Sequence, residues 1–327
     1  IDRGSNDRSV LDLARRLQSE ARAAGGRVHV VLGNHEGMNL DGNLRYVSKE
    51  SFAEFVDLEK QSDRNKAWLA FKNGYRRDQI LLLRKAFDER HPPGYFGRLR
   101  SLSPDGEYGS WLLMQPAAIK INGIVFVHGG LTPKTAAMGL DGINASVHHA
   151  LRTGNKPNDW NQGPLWYRGN ALQNERIERV PLAQVLESLD ARVLVVAHTP
   201  TGSRRVTSRF NGTLYRTDVG MAYGARPQAL VFEQEELWVF DPTTSVRSRP
   251  VLEAPQGEHW SGVHTELEDE FLEKFLTKAK VVKRHDLQRG SRNFSLLELH
   301  KDGLDLRAVF QFVEEKPATS APPESVN

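Results

Sequence analysis

A chain of 327 residues is longer than most single domains, so one large domain with a smaller appendage is expected. Its 44 basic and 41 acidic residues leave a net charge of +3, too weak a bias to indicate a nucleic-acid partner. It contains no cysteine, which excludes disulfides, thiolate metal sites and thiol nucleophiles, and no apolar run long enough to span a membrane. Any metal must therefore be held by His, Asn or carboxylate side chains.

The first part of the chain has the pattern of a helix followed by a strand. Residues 5–24 predict an amphipathic helix with Asn6 or Asp7 available as its cap. Its predicted apolar stripe comprises Val10, Leu11, Leu13, Leu17 and Ala21. Residues 27–33, RVHVVLG, are a β-branched run that predicts a buried strand. Residues 40–110 are polar, aromatic and locally helical, which indicates an insertion between core elements.

The middle of the chain alternates strands with helices. Residues 117–121 and 124–130 are apolar runs joined by Asn122-Gly123, a strong short-range signal for a hairpin. A helical pattern over residues 180–191 leads into the buried-strand pattern RVLVV, and short alternating runs continue to Asp241. This order predicts a layered α/β domain with a mixed sheet.

The character of the sequence changes after residue 250. We assign residues 1–250 to the main domain and residues 262–316 to a small C-terminal α+β appendage. The appendage is predicted to contain an amphipathic helix over residues 268–282 and then a hairpin over residues 295–312. Residues 317–327 are rich in Pro and Ser, which predicts a disordered tail.

Four short segments carry residue types that bind metals or phosphate, and three of them follow apolar strand patterns. They are Asp2-Arg3-Gly4, Gly33-Asn34-His35-Glu36, His128-Gly129-Gly130 and Ala197-His198-Thr199-Pro200. Open α/β sheets build their active sites at the carboxyl ends of strands, where these segments are predicted to lie. No one segment is decisive, but finding all four in this order is hard to attribute to coincidence.

These segments resemble the DRG, GNHE, HGG and later-histidine signatures of the calcineurin-like metallophosphoesterases, specifically their phosphoprotein phosphatase group. The stretches LGNHEGMNLDGNLRYVS, VFVHGGLTP, GPLWYRG, AHTP and DVGM are similar to its bacterial, Shewanella-like branch. The resemblance covers about residues 1–233. It implies a layered β-sandwich flanked by helices, and a serine/threonine phosphatase-like enzyme that cleaves phosphate monoesters in one step with a metal-activated hydroxide.

Members of this family use two neighbouring divalent metal ions, usually manganese, iron or zinc. Carried over residue by residue, the resemblance implies that the second metal is held by Asn34, His128 and His198. Such a mixed nitrogen and oxygen set suits borderline transition ions better than Mg²⁺ or Ca²⁺. Phosphate ester hydrolysis is slow enough without a catalyst that two cations have a clear purpose.

The resemblance also implies the catalytic and phosphate-binding groups. His35 is expected to be the general acid that protonates the leaving alkoxide, and Asp2 is expected to pair with it and fix its tautomer. Arg3 and Arg168 are expected to bind the phosphate, because a guanidinium matches two phosphate oxygens and keeps its charge. Glu36 is interpreted as a residue that supports the metal ligands or the local structure, because the carboxylate of this motif is not itself a ligand in the family.

The sequence departs from the family pattern at its start. It begins at Ile1, inside the second family motif, so the Asp-x-His motif and the bridging aspartate of the first metal are absent. We interpret this as a truncated N terminus, with ligands for one metal in the remaining chain. Ala197 replaces the glycine usual before the last histidine, a change expected to be tolerated.

Two other functions remain open at this point. Diadenosine polyphosphate hydrolases share the core motifs, and a chain that truly began at Ile1 could be a non-catalytic binding fragment. The expected substrate is a phosphoprotein or a small phosphorylated molecule. The sequence leaves open the physiological substrate, the metal, the oligomeric state and a cytoplasmic or periplasmic location.

Overall fold

The computed structural model describes residues 1–75, 80–233 and 236–252, and the backbone of residues 280–289, 292–301 and 304–311. The chain divides into two units, Ile1–Glu253 and Ala254–Asn327. The first unit contains every residue that the sequence singles out for chemistry.

The helices of the first unit lie mainly in its N-terminal half. They are α1 Asp7–Ala23, α2 Asn34–Leu40, α3 Lys49–Ala53, α4 Gln61–Lys72, α5 Ile80–Arg90, α6 Tyr95–Ser101, α7 Glu107–Leu112, α8 Pro133–Ala136, α9 Gly139–Thr153, α10 Gly169–Leu172 and α11 Glu175–Ser188. Among the described residues, no helix is both long and apolar enough to cross a membrane.

The strands described in the first unit all follow α7 in the chain. They are β1 Ala118–Ile121, β2 Ile124–Val127, β3 Val193–Val196, β4 Thr207–Arg209, β5 Leu214–Arg216, β6 Ala229–Glu233, β7 Glu236–Asp241, β8 Val246–Ser248 and β9 Val251–Leu252. β1 and β2 form the predicted antiparallel hairpin. Asn122 and Gly123 join them with φ of +50° and +73°, the left-handed conformation that a two-residue hairpin turn requires.

A six-stranded mixed sheet, in the order β1-β2-β3-β5-β4-β9, forms the centre of the unit. β3 is parallel to both of its neighbours, β2 and β5, and its four residues are all buried. A strand buried on both faces reads as a continuous apolar run, which is the pattern of Val193–Val196. The short apolar run therefore predicts this strand correctly.

Alternate residues of the sheet pack against two different layers. Val125, Leu194 and Leu214 face helices α8, α9 and α11. On the opposite face, Val195 and Tyr215 pack in one apolar cluster with residues from the smaller sheet β6-β7-β8. Two packed sheets with helices outside one of them form the layered β-sandwich that the sequence predicts.

The described residues between 40 and 110 form a helical layer. Phe55 and Leu102 are fully buried there and pack in one cluster with Leu112 of α7, Leu11 of α1 and Leu151 of α9. The predicted insertion is therefore joined to the main domain by a continuous apolar core.

The predicted strand over residues 27–33 is wrong. These residues run as extended chain after α1, and the backbone N–H of Leu32 donates to the carbonyl of Pro116 at 2.9 Å. They belong to no sheet of the described chain. A β-branched run favours extended backbone, but a strand also needs a partner on which to build its ladder.

Helix α1 forms as predicted but turns a different face to the core. Leu11 is buried, whereas Val10, Leu13 and Leu17 are 55%, 43% and 38% exposed. The face that meets α7 is largely polar, and the Trp111 indole N–H donates to Gln18 at 3.1 Å. Hydrogen bonds, which the apolar pattern does not report, set the orientation of this helix.

The second unit contains an antiparallel sheet of β10 Lys280–Arg289, β11 Arg292–Lys301 and β12 Leu304–Gln311. The predicted hairpin is present as β11 and β12. β10 is not predicted, and its first residues were assigned to the end of the helix over residues 268–282. The rest of that helix and the tail from residue 317 lie outside the described residues.

The packing of the central sheet predicts a large difference between a core leucine and a surface leucine. Leu194→Ala is expected to reduce the free energy of unfolding by about 2–5 kcal/mol, because it leaves a cavity between β3 and the helices. Leu252→Ala, at a side chain that is 71% exposed on β9, is the matched control and should change it by less than about 0.5 kcal/mol. If urea unfolding gave the same loss of unfolding free energy for both variants, it would contradict the burial of Leu194 in the core.

Candidate active site

Parallel pairing brings two of the predicted metal ligands to one edge of the sheet. Val127 pairs with Val196, His128 follows β2 directly, and His198 lies two residues beyond the end of β3. The backbone N–H of Ala197 donates to the carbonyl of His128 at 2.9 Å, which continues the pairing past the strands. His198 itself has φ of +58°, so the chain turns sharply there.

Asn34 reaches the same edge from the first residue of α2. Gly33 caps this helix, and its N–H donates to the Glu36 carboxylate at 2.9 Å. Glu36 therefore stabilises the helix start, in agreement with the structural role expected for it. A Cβ added at Gly33 would lie 2.6 Å from Glu36 Oε2 and 3.0 Å from His128 Nδ1, so it would displace the Glu36 carboxylate and crowd the His128 ring.

The side chains of Asn34, His128 and His198 converge on one point. His128 Nε2 lies 2.7 Å from Asn34 Oδ1 and 3.1 Å from His198 Nδ1. His128 Nε2 can donate to Asn34 Oδ1 when it is protonated or accept from His198 Nδ1 when it is not. These three side chains therefore cannot satisfy all their hydrogen bonds with one another. An amide oxygen and two imidazole nitrogens aimed at one point fit a borderline divalent cation.

Both imidazoles are held neutral, which is the form that binds a metal. Desolvation by the surrounding protein lowers the pKa of His128 to about 4. Burial also lowers the pKa of His198, to about 3, and the neighbouring His128 and Arg168 act in the same direction. No cluster of three His, Asp or Glu side chains suited to a metal occurs in the described part of the chain.

His35 and Asp2 form the predicted pair. His35 Nδ1 lies 2.5 Å from Asp2 Oδ1, and Asp2 is completely buried. Asp2 adopts φ of +77°, an unfavourable conformation for a residue with a Cβ. The buried carboxylate accepts a hydrogen bond from the Nδ1–H of His35, which leaves Nε2 as the ring nitrogen available for substrate chemistry.

Each of the two predicted phosphate-binding arginines lies near a different site histidine, Arg3 near His35 and Arg168 at His198. The Arg3 guanidinium stacks 4.3 Å from the centroid of the Tyr46 ring, which in turn lies 5.3 Å from the His35 ring. Arg168 donates through Nη1 to the carbonyl of His198 at 2.9 Å and to the Thr199 hydroxyl at 3.0 Å. Each arginine is therefore anchored beside one of the predicted site histidines.

The loops that carry His128 and Arg168 are locked to each other. The Gly129 N–H donates to Pro164 O at 2.7 Å, and the Leu131 N–H donates to Asn170 Oδ1 at 2.7 Å. Asn170 is fully buried and donates in turn to Glu178 of α11 at 2.7 Å. These bonds give the GPLWYRG segment a defined place next to the HGG segment.

Sequence reasoning missed three side chains around the His35–Asp2 pair. Tyr46 packs between His35 and Arg3, while Asn39 and Arg98 extend the hydrogen bonding of Asp2 into the interior. The spacing of Asn39, four residues after His35, puts the two on one face of a helix and could have identified it. Arg98 lies 59 residues beyond Asn39, and no local pattern connects them.

Comparison with known proteins agrees with this geometry. Residues 1–202 match the profile of the calcineurin-like phosphoesterases. This is more than half of the chain, and the chain belongs to that family.

Two of the relatives are named protein phosphatases. The chain is 27% identical over 233 residues to Shewanella-like protein phosphatase 1 of Plasmodium berghei, covering 68% of this chain and 55% of that protein. It is 31% identical over 154 residues to Shewanella-like protein phosphatase 2 of Arabidopsis thaliana, covering 45% and 39%. The chain thus spans about half the length of these relatives or less.

A solved structure shares the fold. The cold-active protein-tyrosine phosphatase of a psychrophilic Shewanella species has 25% sequence identity and a TM-score of 0.56, with 76% of this chain and 66% of that one covered. The sandwich and its flanking helices are therefore those of a known phosphatase fold.

Gly33→Ala is expected to disturb the site without disturbing the backbone, because φ of Gly33 is −104°. The new Cβ would press on Glu36 and His128, so affinity for Mn²⁺ or Zn²⁺ in titration calorimetry should fall by about tenfold or more. Gly26→Ala is the control, because its Cβ would meet only Ala21 O at an ordinary 3.5 Å. Unchanged affinity in Gly33→Ala would contradict this arrangement.

The lowered pKa values predict acid sensitivity of the metal-free protein. An imidazole with a pKa near 6.5 when unfolded and about 4 when folded binds its proton more readily in the unfolded chain between these values. Stability should therefore fall as pH decreases below about 6.5, by about 2 kcal/mol per imidazole at pH 5. Urea unfolding with chelator at pH 7 and pH 5 measures this. His128→Asn should reduce the difference in unfolding free energy between pH 7 and pH 5. An unchanged difference would refute the conclusion that a lowered pKa of His128 causes the acid sensitivity.

Proposed function

We propose that this protein is a metal-dependent phosphomonoesterase that acts on phosphoproteins. The observation that carries the proposal is the convergence of Asn34, His128 and His198 on one point. The adjacent His35–Asp2 pair supports it, because that pair is poised for proton transfer. Membership of the calcineurin-like phosphoesterases is consistent with the same chemistry.

In this proposal Asn34 Oδ1, His128 Nε2 and His198 Nδ1 hold a divalent ion, which we take to be Mn, Fe or Zn. A cation held there would supply Lewis-acid stabilisation of the phosphoryl oxygens and lower the pKa of water. The family resemblance implies a second ion. Its expected ligands are not among the residues of this chain.

Arg3 and Arg168 would bind the phosphoryl oxygens of the substrate. Arg168 is pre-oriented by the His198 carbonyl and Thr199, so little side-chain entropy is lost when phosphate binds. Arg3 is exposed and backed by the face of Tyr46, which holds the guanidinium in place through a cation–π contact. Two guanidinium groups would together neutralise the charge that grows on the phosphoryl group.

His35 would donate the proton that the leaving oxygen needs. Asp2 accepts a hydrogen bond from Nδ1, so the ring is held in one orientation and its Nε2 is directed away from the carboxylate. Burial of Asp2 excludes water from this bond, which strengthens its electrostatic effect. A dedicated proton donor matters most for alkyl phosphates, because an alkoxide is a poor leaving group.

The names of the relatives favour a phosphoprotein as the substrate over a dinucleotide. A solved structure with the same fold is named a protein-tyrosine phosphatase. The assay must therefore establish which phosphorylated side chain, serine, threonine or tyrosine, the protein hydrolyses. Peptides carrying phosphoserine, phosphothreonine and phosphotyrosine, assayed beside diadenosine tetraphosphate with added Mn²⁺, distinguish the substrate classes. Preference for the dinucleotide would overturn the phosphoprotein assignment, and no turnover of any of them would overturn the enzyme assignment.

The general-acid role predicts a selective loss in His35→Asn. Turnover of a phosphoserine peptide should fall by about 10²–10⁴-fold, while Mn²⁺ affinity by calorimetry stays close to that of the unsubstituted protein. His29→Asn is a matched control, because His29 is an exposed histidine on the extended segment before α2 and lies outside the site. Intact turnover in His35→Asn would refute the role of His35.

A further inference from the structure

A buried hydrogen-bond network continues from Asp2 into the protein. Asp2 uses Oδ1 for His35, and its Oδ2 accepts from Asn39 Nδ2 at 3.0 Å. The same Nδ2 donates to the backbone carbonyl of His35 at 2.9 Å. One amide group therefore holds both partners of the His35–Asp2 pair.

Arg98 fixes which way this amide points. Its Nε and Nη2 donate to Asn39 Oδ1 at 3.0 and 2.9 Å, and Arg98 is completely buried. A guanidinium has five donors and no acceptor, so it can face only the oxygen of Asn39. The amide nitrogen is thereby directed at Asp2, and a flipped amide would place an oxygen against the carboxylate.

Asp7 closes the network into a ring. Arg98 Nη1 lies 2.9 Å from Asp7 Oδ2, and Ser51 bridges the two by accepting from Arg98 at 2.8 Å and donating to Asp7 at 2.5 Å. Asp7 Oδ1 accepts the backbone N–H of Asp2 at 3.0 Å. The carboxylate and the backbone of Asp2 are thus held from two sides, although its φ is positive.

We propose that Asn39 and Arg98 are positioning residues that act through Asp2 to orient His35 for proton donation. The inference rests on the proposed phosphatase function and extends it to the helical layer of residues 40–110, which contributes Arg98 on α6.

Positioning of a proton donor has a signature that a purely structural role lacks. Loss of donation slows substrates with alkoxide leaving groups, whereas p-nitrophenolate departs with little need for a proton. A change that only weakens the fold or phosphate binding would slow both substrates by a similar factor. The ratio of the two turnover numbers therefore reports on His35.

Asn39→Leu, which has nearly the same shape without the amide, is the first test in the Mn²⁺-loaded protein. Turnover of a phosphoserine peptide should fall by about 10–100-fold, and that of p-nitrophenyl phosphate by less than about threefold, with KM for both little changed. Equal losses for both substrates, or no loss for either, would overturn the proposal.

Asn144→Leu is the matched control. Asn144 is another asparagine whose amide is hydrogen bonded at both its oxygen and its nitrogen: it accepts from the N–H groups of Ala117 and Ala118 and donates to Ala118 O. It ties α9 to β1 and is part of neither the site nor the ring. Its loss should lower stability in urea unfolding and leave the ratio of the two turnover numbers unchanged.

Arg98→Lys supplies a second variant, because it keeps a charge beside Asp7 and loses the two-donor contact with Asn39. The turnover ratio should shift in the same direction as in Asn39→Leu. If Asn39→Leu does not fold, the turnover ratio of Arg98→Lys tests the positioning role in its place.

A double variant, His35→Asn with Asn39→Leu, should turn over the phosphoserine peptide no more slowly than His35→Asn alone. A further tenfold loss would show that Asn39 does not act through His35.

The ¹⁵N chemical shifts of the His35 imidazole follow the network independently of turnover. His35 Nδ1 should carry a proton in the unsubstituted protein both before and after Nε2 gives up its own, and should lose part of that protonation in Asn39→Leu. Unchanged shifts would overturn the positioning role. Absence of turnover in the unsubstituted protein would instead count against the proposed phosphatase function, and the shifts would still decide the role of Asn39.

Discussion

Parallel pairing of β2 with β3 places Val127 beside Val196, so the chain leaves both strands at the same edge of the sheet. His128 and His198 meet there because hydrophobic burial of the two strands fixes their register. A slip by one residue would exchange the two faces of a strand between the helical layer and the smaller sheet. The geometry of the histidines is therefore stabilised by apolar residues that take no part in the chemistry.

A second constraint is the cost of burying charge. Asp2, Asp7 and Arg98 are all buried, and such groups are tolerated only when paired and fully hydrogen bonded. The ring through Asn39 and Ser51 meets this condition, and each bond in it also restricts Asp2. The need to satisfy buried polar groups and the need to orient His35 are thus met by the same bonds.

The local sequence predicts the site better than its surroundings. Residue types after apolar runs singled out the segments, and the family resemblance implied the ligand set Asn34, His128 and His198, whose side chains converge. Two predictions failed where the outcome depends on a partner. Residues 27–33 have strand propensity but no ladder in the described chain, and α1 turns a largely polar face to α7 because Gln18 has a hydrogen-bond partner there.

By itself the sequence determined the family, the buried strand Val193–Val196, the hairpin at Asn122-Gly123 and the residue types of the site. These features depend on neighbours in the chain or on short motifs, so local spacing reports them. Only the tertiary structure decided which face of α1 is buried, how the loops of His128 and Arg168 lock together, and that Arg98 reaches Asn39 across 59 positions. Long-range contacts of this kind arise from packing and from the pairing of buried polar groups, and no local pattern encodes them.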